Sequence, residues 1–278
     1  MRPAPDRQAG LTLVEMIVSI VISGILIALV AMFGRWQIES YFDIANRAAL
    51  VDAGDLALRR LSRDLQAALP NSVRVDATGT FIEFIPVVAA GRYRAESGGG
   101  AGDLPLDFGL SATAASFDVL GPTVDVAAGQ PVVVFNLGIP GADAYAGTNR
   151  RAVTAGTGLA VLAAAAPPFA FPFASPANRF QVVGPPVTYQ CNGAAGEIRR
   201  YTGYGFLAAQ TTNTAAGAGN LGAGTSAMLV NNVANCANVF TYTPGVFQRN
   251  GLVSIRFDLA ANGETVQLMD QVEVLNTP

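Results

Sequence analysis

The chain has 278 residues, with 17 basic and 20 acidic side chains for a net charge of −3, and a mean hydropathy of +0.36. Every basic residue is Arg and His is absent, which excludes His-assisted nucleophiles, His ligands for zinc, Lys Schiff bases and the P-loop Lys. Charged residues make up 13% of the chain, fewer than an ordinary soluble domain carries, and part of this shortage is concentrated at the N-terminus.

Residues 16–34 form a run of 19 without a charge, bounded by Glu15 and Arg35. As a helix the run spans about 28 Å, the thickness of a bilayer's hydrocarbon core. Arg2 and Arg7 precede it, so the charge rule places the N-terminus in the cytoplasm and the rest outside. No A-x-A site follows the run, which argues against a cleaved secretory signal peptide; a plain signal anchor stays open. Glu15 lies one turn inside the apolar segment, where a carboxylate is costly in lipid unless it finds a partner. A neighbouring chain's amine is one such partner, and snorkelling to the interface is the other reading.

The helical pattern continues through Trp36, Ile38, Phe42, Ala45 and Ala49 to Leu58, Leu61, Leu65 and Leu69, whose steps of three and four make one apolar face. Asp55 with Arg59 and Arg60 with Asp64 stand four apart on the opposite side. A single helix over about residues 11–69 is expected, ended by Pro70. Gly54 is its weak point, at about 1 kcal/mol relative to Ala. The cluster Arg59, Arg60 and Arg63 reads as a solvated helix face rather than a nucleic-acid stripe, because acids are interleaved and the chain is net negative.

Beyond Pro70 the period changes from helical to alternating. Residues 72–75 and 80–85 read as a hairpin, and further strands are expected at 116–120, 132–137, 179–183, 187–191, 197–201 and 239–242. The strongest hairpin is C-terminal: Val253, Ile255, Phe257 and Leu259 alternate, Asn262-Gly263 supplies the turn, and Val266, Leu268, Val272 and Val274 alternate on the return. Asp270 interrupts that return face, and a bulge or edge position is the default reading, ahead of a buried carboxylate or a cation ligand. The Ala- and Gly-rich stretches 98–102, 152–177 and 208–227 read as loops. Gly98-Gly99-Gly100 lacks a GKS/T tail and is not a nucleotide cradle. Cys191 and Cys236, the two cysteines, enclose 44 residues and face an oxidising compartment, so a disulfide is the first reading and free thiols the alternative.

Gly10-Leu11-Thr12-Leu13-Val14-Glu15, at the end of a short polar leader and at the start of the apolar run, resembles the prepilin leader motif of type IV pilins and type II secretion pseudopilins. The resemblance implies cleavage after Gly10 by prepilin peptidase, N-methylation of Leu11, and subunit docking through Glu15. Leu11 stands where the family usually has Phe. The implied fold is α+β and pilin-like, with a long N-terminal helix packed on an antiparallel sheet. The implied parts are a leader over 1–10, a membrane or filament-core segment over 11–35 and a periplasmic head over 36–278.

Leu58-Arg59-Arg60-Leu61, Leu69-Pro70-Asn71-Ser72-Val73-Arg74, Arg199-Arg200-Tyr201, Thr243-Pro244-Gly245 and Gly251-Leu252-Val253-Ser254 are similar to segments of the MshO group, minor pilins of the mannose-sensitive haemagglutinin pilus. That likeness implies a non-enzymatic inner-membrane subunit, without cofactor or metal, that joins other minor pilins and the major pilin to prime or cap a pilus. J-type pseudopilins and PilW-type minor pilins share the leader and a similar head. A tip adhesin for glycan, protein or DNA is a further reading, in which Tyr201, Tyr204 and Phe206 serve either as a stacking surface or as core.

Overall fold

The computed structural model describes residues 10, 12–109, 111–245 and 249–276, with the side chains of 34–36, 38 and 39 left aside. Leu11, most of the leader, and the side chains of Trp36 and Ile38 therefore lie outside the described residues. The chain divides into two compact units, Met1–Ala49 and Leu50–Pro278.

Helix α1 runs over Leu13–Gln66. In the first unit the described side chains of residues 13–33 are all exposed, and Leu13–Phe33 has a mean hydropathy of 2.8. Val and Ile are dense here although they favour strands in water. In lipid a helix satisfies every backbone group within the segment, which overrides that preference. The helix ends three residues before the expected Leu69. The cause is competition from the sheet: Leu69 N–H donates to Ile85 O, Val87 N–H donates to Ala67 O, and Ala68 bridges Pro86.

In the second unit the helix is followed by β1 (Arg74–Val75), β2 (Phe81–Phe84), β3 (Val87–Tyr93), β4 (Ser116–Leu120), β5 (Val124–Val126), β6 (Pro131–Val133), β7 (Arg150–Ala152), β8 (Gly156–Leu159), β9 (Val161–Ala163) and β10 (Arg179–Val183). The chain continues through β11 (Val187–Asn192), β12 (Glu197–Thr202), β13 (Thr225–Asn231), β14 (Val233–Asn235), β15 (Phe240–Thr243), β16 (Gly251–Ala261) and β17 (Glu264–Val274). One sheet has the order β1-β2-β11-β12-β13 and a second the order β7-β6-β10-β3-β4-β9. In a third, β16 pairs with β14, β15 and β17, and β5 with β8 makes a small ribbon. Every pairing between these strands is antiparallel. An apolar N-terminal helix followed by an antiparallel head is the α+β pilin-like architecture.

Two main cores stabilise this unit. The first places Leu50, Ala57, Leu58, Leu61 and Leu65 of α1 against Ile82, Phe84, Tyr189, Ile198, Val253, Ile255 and Phe257, so the apolar helix face is buried as its spacing requires. The second is aromatic: Tyr93, Phe117, Phe169, Phe171 and Phe180 pack edge-on or stacked. It lies inside the segment between β3 and β10, a lobe with its own core inserted between β2 and β11. A smaller cluster of Leu69, Ile85, Val133, Tyr145 and Val183 joins the two. Beside it Asn136 donates to Pro70 O and accepts from Ala144 N–H, and Asn71 donates to Asn136 O.

Several expectations need correction. Strands β3 and β7, the short strands β8 and β9 inside 152–177, and β13 beginning at the end of 208–227 stand where loops were expected or nothing was assigned. The 132–137 strand shrinks to Pro131–Val133 because Phe135 takes a left-handed φ of 53°. Asp270 lies on β17, which pairs with β16 alone and is an edge strand as one half of the expectation had it, but it sits on no bulge, since the β16–β17 register is unbroken from Gly251↔Val274 to Ala261↔Glu264. It is a half-buried carboxylate facing the helix, where Ser62 Oγ donates to it at 2.5 Å. Asp64, expected to pair with Arg60, accepts instead from Tyr189 OH at 2.7 Å and Arg200 Nε at 3.1 Å.

Candidate functional site

The N-terminal motif is built on a helix start. Thr12 caps α1: its Oγ1 accepts from Glu15 N–H at 3.2 Å, and its carbonyl accepts from Met16 N–H. Thr12-Leu13-Val14-Glu15 thus has the spacing of a capping box. The acid also lies in the first turn, where the helix dipole favours negative charge. Ser19 Oγ donates back to Glu15 O at 2.7 Å. The Glu15 side chain is exposed and makes no hydrogen bond or ion pair among the described residues. Gly10 is exposed, and open space surrounds the position of a Cβ there. The arrangement presents an exposed Gly10, a start to the helix at Thr12 and, among the described residues, an unpartnered carboxylate within a few residues of an exposed apolar span.

A disulfide joins Cys191 on β11 to Cys236 just after β14, with Cα atoms 5.5 Å apart. It encloses β12, the Gly-rich 208–224 segment, β13 and β14.

The aromatic residues considered for stacking are placed in the core. Tyr201 and Tyr204 are buried, and Phe206 is half-buried under the Arg150 guanidinium at 3.7 Å. Tyr204 belongs to a polar cluster that the sequence reading missed. Glu83, fully buried on β2, accepts from Arg74 Nε at 2.8 Å and from Tyr204 OH at 2.8 Å. Tyr204 OH also shares a hydrogen bond with Thr188, and Arg74 lies over the Tyr145 ring at 3.6 Å while donating to Leu207 O and Ala208 O. Burial, followed by the Glu83 charge, pushes the Tyr145 and Tyr204 hydroxyls well above the ordinary value, so both remain donors. The missed signal was available: Phe81-Ile82-Glu83-Phe84-Ile85 is apolar at every other position, so a strand there is covered on both faces and its lone acid needs an internal cation.

The glycine run is closed by its own acid. Gly98 N–H and Gly100 N–H both donate to Asp103 Oδ2, so these amides are already committed to a carboxylate.

The model of the prokaryotic N-terminal methylation motif matches residues 5–31. No curated protein and no solved structure matches the chain. The matched segment contains Gly10 and Glu15 and most of the exposed apolar span. Together they support a membrane-anchored type IV pilin-like protein of a structural class, one that is processed by prepilin peptidase and assembles with other pilins.

Proposed function

We propose that the chain is a minor pilin or pseudopilin, a structural subunit that joins other minor pilins to prime or cap a type IV pilus of the mannose-sensitive haemagglutinin type. In this reading residues 1–10 are a leader that prepilin peptidase removes after Gly10. Residues 11–35 then hold the subunit in the inner membrane or the filament core, and 36–278 form the periplasmic head. Leu11 becomes the methylated N-terminus. Glu15 docks on the terminal amine of a neighbouring subunit, because an acid in an apolar helix is retained where a cation meets it. The observation that carries the reading is the methylation-motif match over 5–31, with Gly10 and Glu15 at the family spacing. The MshO-like segments favour a pilus over a secretion system.

Mass spectrometry of protein from a host with prepilin peptidase is the test. The expected N-terminus is N-methylated Leu11, and loss of Arg2, Asp6 and Arg7 takes the side-chain charge from −3 to −4. An intact Met1, or a cut after Gly34, would overturn the proposal.

A further inference from the structure

The inserted lobe juxtaposes two arginines that no acid among the described residues neutralises. Register in the β3–β10 pair puts Arg179 directly opposite Arg92, and side chains so placed have Cβ atoms about 5 Å apart, where like charges destabilise a sheet. Both are exposed, and neither makes a hydrogen bond, ion pair or ring contact among the described residues. Many other arginines of this unit are engaged, although the Arg60, Arg63 and Arg249 side chains likewise make no such contact among the described residues. Arg74 pairs with Glu83, Arg94 with Asp118 and Asp103, Arg199 with Glu197, Arg200 with Asp64 and Arg256 with Asp258, while Arg150 and Arg151 donate to carbonyls. Asp118, next to the β3–β4 pairing, and Asp103 are thereby committed to Arg94, while Glu96, four residues beyond Arg92, is exposed and makes no ion pair among the described residues.

The surroundings of the pair add a second, independent observation. One step along the same face, Gln181 lies opposite Ala90. Gln181 is 8% exposed, and its Oε1 is buried without a hydrogen-bond partner among the described residues, a state that costs free energy unless something donates to it. On the other side of Arg92, its β4 partner Leu120 is 41% exposed. One block of the sheet thus offers two guanidinium forks, an unsatisfied amide and a shelf of Ala90 and Leu120.

We propose that this block is a binding site for a small hydroxylated oxyanion, with Arg92 and Arg179 taking the carboxylate or phosphate and Gln181 taking a hydroxyl. Guanidinium forks match planar and tetrahedral oxyanions, and a ligand anion removes the repulsion that the bare pair carries. Two cations are too few for a nucleic-acid backbone, whose binding rests on many phosphate contacts. The shelf suits the C–H face of a sugar ring, so an acidic sugar fits the block best. The inference stands whether or not the chain enters a filament.

The test is titration of the full chain in detergent micelles with sodium glucuronate, inorganic phosphate and glucose at matched ionic strength, read by calorimetry and thermal shift. Glucuronate is expected to bind and raise Tm, and glucose to do neither. Arg92→Gln and Arg179→Gln are each expected to weaken glucuronate binding about tenfold or more, and the double variant to abolish it. Without ligand, the double variant is expected to be at least as stable as the parent, because a like-charge contact is gone. Phosphate binding as tight as glucuronate, and lost in the same variants, supports the oxyanion site with a phosphate ester as its source. The proposal is overturned if no anion binds above the chloride background, or if binding survives in the double variant. It is equally overturned if the ligand-free double variant is less stable, which would make the arginines structural, or if duplex DNA outcompetes glucuronate.

Discussion

Glu83 combines full burial with a formal charge, and Arg74, the residue opposite it in the β1–β2 register, is its counter-ion. Removing one member of such a pair leaves the other charge uncompensated in a low-dielectric site, which typically costs about 3–5 kcal/mol. Replacing both members removes that penalty. Arg74→Met is therefore expected to destabilise the protein by about 3 kcal/mol or more, and Glu83→Gln by less, because the amide oxygen still accepts from Tyr204. The double variant Arg74→Met with Glu83→Gln should recover part of the loss. Urea unfolding of the four species gives the coupling directly. Additive effects would mean that the contact is incidental to the fold.

At the scale of elements, the approach of α1 to the β16–β17 hairpin turns on Gly54. A Cβ built there meets Leu268 Cδ1 and lies 2.9 Å from Leu259 Cδ1, so the residue that weakens the isolated helix permits the contact. Gly54→Ala gains about 1 kcal/mol of helix propensity but overpacks this contact, which typically costs about 1–3 kcal/mol. The expected net effect is a loss of stability. In a Leu268→Ala background the same substitution should become stabilising, and thermal unfolding of the two pairs reads this reversal of sign. The approach of helix to sheet could not be read from the sequence, whereas several elements could. The Leu58, Leu61 and Leu65 face, the Asn262-Gly263 turn with φ of 53° and 84°, and the strands with a strict apolar alternation all follow local rules. Strands β3 and β13 do not. Ala89-Ala90-Gly91 in β3 and Ser226-Ala227 in β13 interrupt their few β-branched residues without an apolar alternation, and register with their neighbours completes these strands. The edge position of Asp270 was legible but its half-burial was not, since the serine that satisfies it lies on α1, 208 residues away in sequence. At the N-terminal motif the spacing of Gly10 and Glu15 was legible, because the motif is one short run of local sequence. Nothing local marked Arg92 and Arg179, 87 residues apart in sequence, as cross-strand neighbours.

At the scale of the whole molecule, the head is held by two separately packed cores, and the Cys191–Cys236 bridge belongs to the first. Cys191 is buried in the cluster that includes α1, and Cys236 packs against it from the end of the β13–β14 segment. Between them, residues 208–224 carry one short 3₁₀ turn and no strand, so secondary structure restrains this part of the closed loop least. With a sequence separation of 45, the chain-entropy model gives the bridge about 4 kcal/mol, acting mainly by restricting the unfolded chain. Cys191→Ala with Cys236→Ala removes the bridge without burying a hydroxyl. It is expected to lower stability by about 2–4 kcal/mol, with the far-UV circular dichroism unchanged because β11, β12 and β13 still pair through their backbones. Urea unfolding of the parent with and without reductant, alongside the double variant, distinguishes the contributions. Equal midpoints for the reduced parent and the variant locate the effect in the crosslink, and a larger loss in the variant would assign the remainder to lost packing at Cys191. An unchanged midpoint in both would show that strand pairing alone fixes the β12–β14 segment.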